Sequence, residues 1–93
     1  SDAASYIKSI RKGFQDEDFR TIEKASHPLK SNSKSFGLTS VSEIAESINI
    51  ITRDAVMTKG KMLSLTPLVP MLEESFKRAE GRLRMAVKEK AQI

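Results

Sequence analysis

The sequence predicts an all-α chain folded as an antiparallel four-helix bundle, an expectation that rests on residue spacing, connector length and composition. Apolar residues recur at three- and four-residue spacing along four stretches, and no stretch alternates with a period of two. The connectors are short, which folds consecutive helices back on one another. With 93 residues, 39% of them hydrophobic and only 5% aromatic, the chain can fill one core of Leu, Ile, Ala and Met but not two.

In the first stretch Ala3, Tyr6, Ile7, Ile10 and Phe14 form one stripe, and Gly13 sits where the helix can end. Asp16, Glu17 and Asp18 then gather carboxylates at the positive end of a second helix, ahead of the stripe Phe19, Ile22, Ser26, Leu29 and Ser33. This helix carries His27. Pro28 removes the amide that would bond to the carbonyl of Lys24, at a cost of about 3 kcal/mol, so a kink is expected there. Gly37 interrupts, and Ser40 with Glu43 reads as a capping box for a third helix with the stripe Val41, Ile44, Ala45, Ile48, Ile51 and Ala55. Thr58, Lys59, Gly60 and Lys61 read as a turn. Thr66 and Pro67 suit the N-cap and first position of the last helix, whose stripe is Leu68, Leu72, Phe76, Ala79, Leu83 and Val87, with Pro70 in its opening turn. The serine-rich run from Ser26 to Ser42 would also suit a flexible loop, but its apolar spacing through Leu29 and Phe36 favours helix.

No internal repeat, linker or second domain is visible, so residues 1–93 are expected to form a single domain, and the start at Ser1 without an initiator methionine fits one excised from a longer protein. No apolar run approaches the roughly 20 residues that span a bilayer, and no signal-peptide pattern opens the chain. A cytoplasmic, monomeric domain without membrane contact is expected. The lack of cysteine excludes disulfides and thiolate metal sites, and a single histidine argues against a zinc site, so no cofactor is expected in the chain itself. A glycine-rich phosphate cradle, paired catalytic carboxylates and a serine–base arrangement are all missing, which argues against a self-sufficient kinase or hydrolase. The net charge of +4 invites a partner with negative surface without choosing among nucleic acid, anionic lipid and an acidic protein pocket.

At about 100° per residue, His27 projects roughly 130° from the centre of its helix's apolar stripe and should face water. Arg20, Glu23, Lys30, Ser31 and Lys34 fall within about 60° of it, forming a mostly basic strip around one nucleophile. A neutral imidazole keeps a lone pair on one ring nitrogen, which can attack phosphorus. Lys30, one turn further along, is placed to offset the charge of an arriving phosphoryl group. Ser31 and Ser33 are small and leave room for a partner protein, with Arg20 and Lys34 beside them. On the third helix Asn49 and Arg53 lie one turn apart; if the two helices pack antiparallel, Asn49 can hydrogen-bond an imidazole nitrogen and fix the tautomer, and Arg53 adds positive charge. Taken singly, each of these residues also reads as an ordinary side chain that faces water.

The string His27-Pro28-Leu29-Lys30-Ser31-Asn32-Ser33-Lys34-Ser35-Phe36-Gly37 resembles the signature of histidine-containing phosphotransfer domains: His, any, apolar, Lys, Gly or Ser, two small, two variable, apolar, Gly. Ser31 stands where glycine is more frequent, and Asn32 is larger than the usual small residue. The resemblance covers essentially the whole chain and implies a four-helix bundle with the histidine exposed on its second long helix. It implies that His27 accepts a phosphoryl group from a receiver-domain aspartate and passes it to another receiver. Lys30 then matches the lysine beside the phosphoryl group, Gly37 the turn out of the helix, and Leu29 and Phe36 buried apolar positions. Asn49 stands where some members carry an amide bonded to the histidine, and Arg53 where some carry a basic residue. The partners implied are receiver domains, which supply the divalent metal, and not nucleic acid. Two alternatives stay open: the related phosphorylatable domain of chemotaxis-type kinases, fed by an ATP-binding domain, and a noncatalytic basic bundle that binds nucleic acid.

Overall fold

Spacing becomes structure in four helices, α1 (Asp2–Gln15), α2 (Phe19–Ser35), α3 (Thr39–Thr52) and α4 (Lys59–Ala91). The computed structural model describes residues 2–91, with side chains described as far as Arg82, and contains no strand among them. Leu83 and Val87 of the expected last stripe lie outside the described side chains. Neighbouring helices pack in chain order, α1 on α2, α2 on α3 and α3 on α4, and α4 returns to α1, so the four close into a bundle. The core is Ala3, Ile7 and Ile10 from α1, Phe19, Ile22, Ala25 and Leu29 from α2, Val41, Ala45 and Ile48 from α3, and Leu65, Val69 and Leu72 from α4. Tyr6, Phe14, Ile44, Ile51, Leu68 and Phe76 pack against its edges. No helix among the described residues is long and apolar enough to cross a membrane.

Helix ends depart from expectation where backbone bonding outweighs residue preference. Gly13 does not end α1; it is buried inside the helix, and a Cβ there would come within 2.8 Å of Ile22 Cγ1, so the glycine lets α1 and α2 approach closely. The helix ends two residues later at Gln15, and beyond it Glu17 takes φ 54° while the amide of Asp18 donates to Gly13 O at 2.7 Å. Asp18 then caps α2, its carboxylate accepting from the Thr21 amide at 3.2 Å and the Thr21 hydroxyl at 2.7 Å. These bonds hold its carboxyl below the usual aspartate range.

The capping box at Ser40 and Glu43 does not form. Leu38 is the N-cap of α3, without a side-chain bond, because the Gly37 turn brings the chain into helical register two residues earlier. At the other end α3 stops at Thr52, so Ala55 leaves the stripe for an exposed turn with φ 58°. The expected turn at Thr58–Lys61 is instead the start of α4: Thr58 Oγ1 accepts from the Lys61 amide at 3.1 Å, and Gly60 is already helical. Pro67 and Pro70 consequently sit inside α4. The carbonyls they deprive of donors belong to Leu63 and Thr66, both exposed, where water can serve in place of the lost amides.

Candidate functional site

His27 lies in the middle of α2 with its side chain exposed, because the apolar stripe of that helix is consumed by the core. Phe19, Ile22, Ser26, Leu29 and Ser33 are all buried, which turns position 27 outward. The helix runs unbroken through Pro28. Lys24, whose carbonyl loses its amide donor to the proline, is exposed, so solvent can serve there. Along the outward face Arg20, Lys24, Ser31 and Lys34 are exposed, with Glu23 and Lys30 half-buried.

One residue expected at the partner contact does not belong to it. Ser33 has no exposed surface, and its hydroxyl lacks a hydrogen-bond partner in the protein. It follows Ser26 by seven residues on the buried side of α2, so it cannot meet a docking partner. Phe36 errs the opposite way, being 74% exposed where the resemblance implied burial. It is the C-cap of α2, and beyond it Gly37 takes φ 71° while the amides of Gly37 and Leu38 donate to Lys34 O at 3.1 Å and Ser33 O at 2.8 Å. That turn sends Leu38, not Phe36, back onto the core.

The third helix meets α2 along a polar stripe, Ser42, Glu46, Asn49 and Arg53, spaced at i, i+4, i+7 and i+11. Ser42 Oγ donates to Lys30 O at 3.0 Å. Lys30 Nζ donates to Glu46 Oε1 at 3.0 Å, with side chains 38% and 47% exposed. Asn49 was expected on the imidazole, but its amide donates to Ser26 Oγ at 3.1 Å and to Glu23 O at 3.4 Å, and its carbonyl oxygen accepts from Arg53 Nη2 at 3.3 Å. The reason is position: Asn49 is 4% exposed and faces the buried side of α2, about 100° away from the direction of His27. It fastens the turn that carries the histidine and does not bond the ring. Arg53, exposed at the C-cap of α3, engages that same amide.

Glu46 escaped sequence reading, although a signal existed. It lies four residues after Ser42 and three before Asn49, so the stripe that faces α2 through Asn49 includes it. Among the described residues no group of three His, Cys, Asp or Glu side chains is placed to hold a metal ion.

The model of the Hpt domain family matches residues 1–86. The chain belongs to the Hpt family. Hpt domains are helical phosphotransfer modules of two-component phosphorelays, where they interact with receiver domains and act as carriers and not generally as kinases. Comparison of this Hpt domain with curated proteins and with solved structures gave no significant match.

Proposed function

We propose that His27 accepts a phosphoryl group from the aspartate of one receiver domain and delivers it to the aspartate of another, making the chain a phosphorelay intermediate without kinase activity of its own. The observation that supports this most directly is that the chain's single histidine stands exposed at the middle of α2. The family's chemistry needs one accessible histidine, and His27 alone can supply it.

In the step proposed, a lone pair on an imidazole nitrogen attacks the phosphorus of the aspartyl phosphate in line. The N–P bond forms as the P–O bond to the carboxylate breaks, and the released electron pair stays on the aspartate. The neutral ring keeps its other proton and becomes a phosphorylated imidazolium; the onward transfer reverses these changes on a second aspartate. The receiver supplies the divalent metal, and this domain supplies the nucleophile, the Lys30 ammonium and a contact strip of Arg20, Ser31 and Lys34. Three-residue connectors at 16–18 and 36–38 support antiparallel packing of α1, α2 and α3. We read the domain as a cytoplasmic monomer.

Incubation with a phosphorylated receiver tests this reading. Wild type is expected to gain an acid-labile, base-stable phosphate and His27→Gln none. Equal labelling of both would overturn the assignment.

A further inference from the structure

We propose that Glu46 sets how firmly a phosphoryl group is held on His27, by competing with that group for the Lys30 ammonium. The inference rests on the phosphorelay reading above and concerns the same site. Lys30 Nζ is not a waiting cation in this structure, since Glu46 Oε1 already takes it at 3.0 Å. Its backbone is pinned independently, because Lys30 O accepts from Ser42 Oγ at 3.0 Å. The movable part is therefore the flexible stem of the lysine. With the two side chains 38% and 47% exposed, the pair is held but not sealed.

His27 lies three residues before Lys30, so a phosphoryl group on the ring comes within reach of the same ammonium. Two anions then face one cation. If Lys30 stays on Glu46, the phosphoryl group loses that ammonium and keeps only the other cations of the face, Arg20, Lys24 and Lys34. If Lys30 turns to the phosphoryl group, the carboxylate is left without its partner. Either arrangement raises the free energy of the phosphorylated domain relative to the unphosphorylated one, where the pair is intact. The group is consequently easier to pass on. Glu46 forms and breaks no bond to phosphorus; it acts through Lys30 and is a positioning residue. Glu73 and Glu74 on α4 have cationic partners of their own, Arg11 and Arg78, away from this pair.

The test compares wild type, Glu46→Gln, Lys30→Ala and the double variant, each incubated with a phosphorylated receiver and then with an acceptor receiver. Glu46→Gln is expected to raise the equilibrium fraction of phosphorylated domain about two- to fivefold and to slow onward transfer by a similar factor. Glu46→Asp, which keeps the charge, should return towards wild type, and Glu74→Gln, which changes net charge equally, should leave both readings unmoved. The gain from Glu46→Gln should shrink in the Lys30→Ala background. An unchanged equilibrium and onward rate in Glu46→Gln, or a gain of undiminished size without Lys30, would overturn the proposal. Failure of the phosphorelay reading has a different signature: unlabelled wild type, or a labelled His27→Gln.

Discussion

The side-chain amide of Asn49 donates to Ser26 Oγ at 3.1 Å, so α3 grips α2 one residue before the exposed His27. Ser26 Oγ in turn donates to Glu23 O at 3.3 Å, and Asn49 reaches that carbonyl as well. The grip is buried, which gives it energetic weight that a surface contact would lack.

Replacing Asn49 by alanine leaves the buried Ser26 hydroxyl without its donor and Arg53 without its acceptor. A loss of about 1–3 kcal/mol is expected, read as a lowered midpoint in urea unfolding. An unchanged midpoint would mean that the contact does not hold the two helices.

Gly13 is expected to resist substitution although alanine is the better helix former by up to about 1 kcal/mol. A Cβ at this position meets Ile22 Cγ1 at 2.8 Å, Asp18 O at 3.1 Å and Ile22 N at 3.3 Å. Two of those atoms are backbone and cannot turn aside. Gly13→Ala should therefore destabilise the domain by about 1–3 kcal/mol through overpacking of α1 against α2. Gly60→Ala, where the added Cβ meets nothing within 4 Å, is the matched control and should be neutral or slightly stabilising.

Phe36 and Leu29 separate two positions that the sequence makes look alike. Leu29 has no exposed surface and belongs to the core, whereas Phe36 is 74% exposed at the C-cap of α2. Leu29→Ala should cost about 2–5 kcal/mol, and Phe36→Ala within about 0.5 kcal/mol of nothing, both measured by thermal or urea unfolding. A large loss at Phe36 would show that its ring is covered in solution.

What the sequence made legible follows from where the physics is local. The stripe Phe19, Ile22, Ser26, Leu29, Ser33 is buried in full because a 3.6-residue period dictates which side chains share a face. The outward aspect of His27 followed from the same period. Helix boundaries were less legible, since Leu38 and Thr58 cap through backbone register and one hydroxyl, while Ser40 and Pro67 offered stronger local signals for other starts. The partners of Lys30 and Asn49 depend on how α3 lies against α2. A single residue's chemistry allows several such partners, and only packing selects Glu46 for the first and Ser26 for the second.

The ion pair between Arg11 and Glu73 gives the bundle a predictable acid response. Arg11 Nε donates to Glu73 Oε2 at 3.0 Å and its Nη2 grips Oε1, so one guanidinium ties α1 to α4 through both carboxylate oxygens. This hydrogen bonding holds the Glu73 carboxyl below the usual glutamate range and raises the Arg11 guanidinium. A carboxyl whose pKa is lower in the folded than in the unfolded state adds stability above its unfolded value, and that stability is lost as pH falls through the folded value. Because the side chains are 34% and 36% exposed, solvent screening limits the contribution to less than about 1 kcal/mol. Glu73→Gln should therefore unfold at lower urea concentration than wild type near neutral pH, with the gap closing as pH falls below the usual glutamate range and through the lowered folded value. A gap that stayed constant across that range would assign the loss to packing instead of charge.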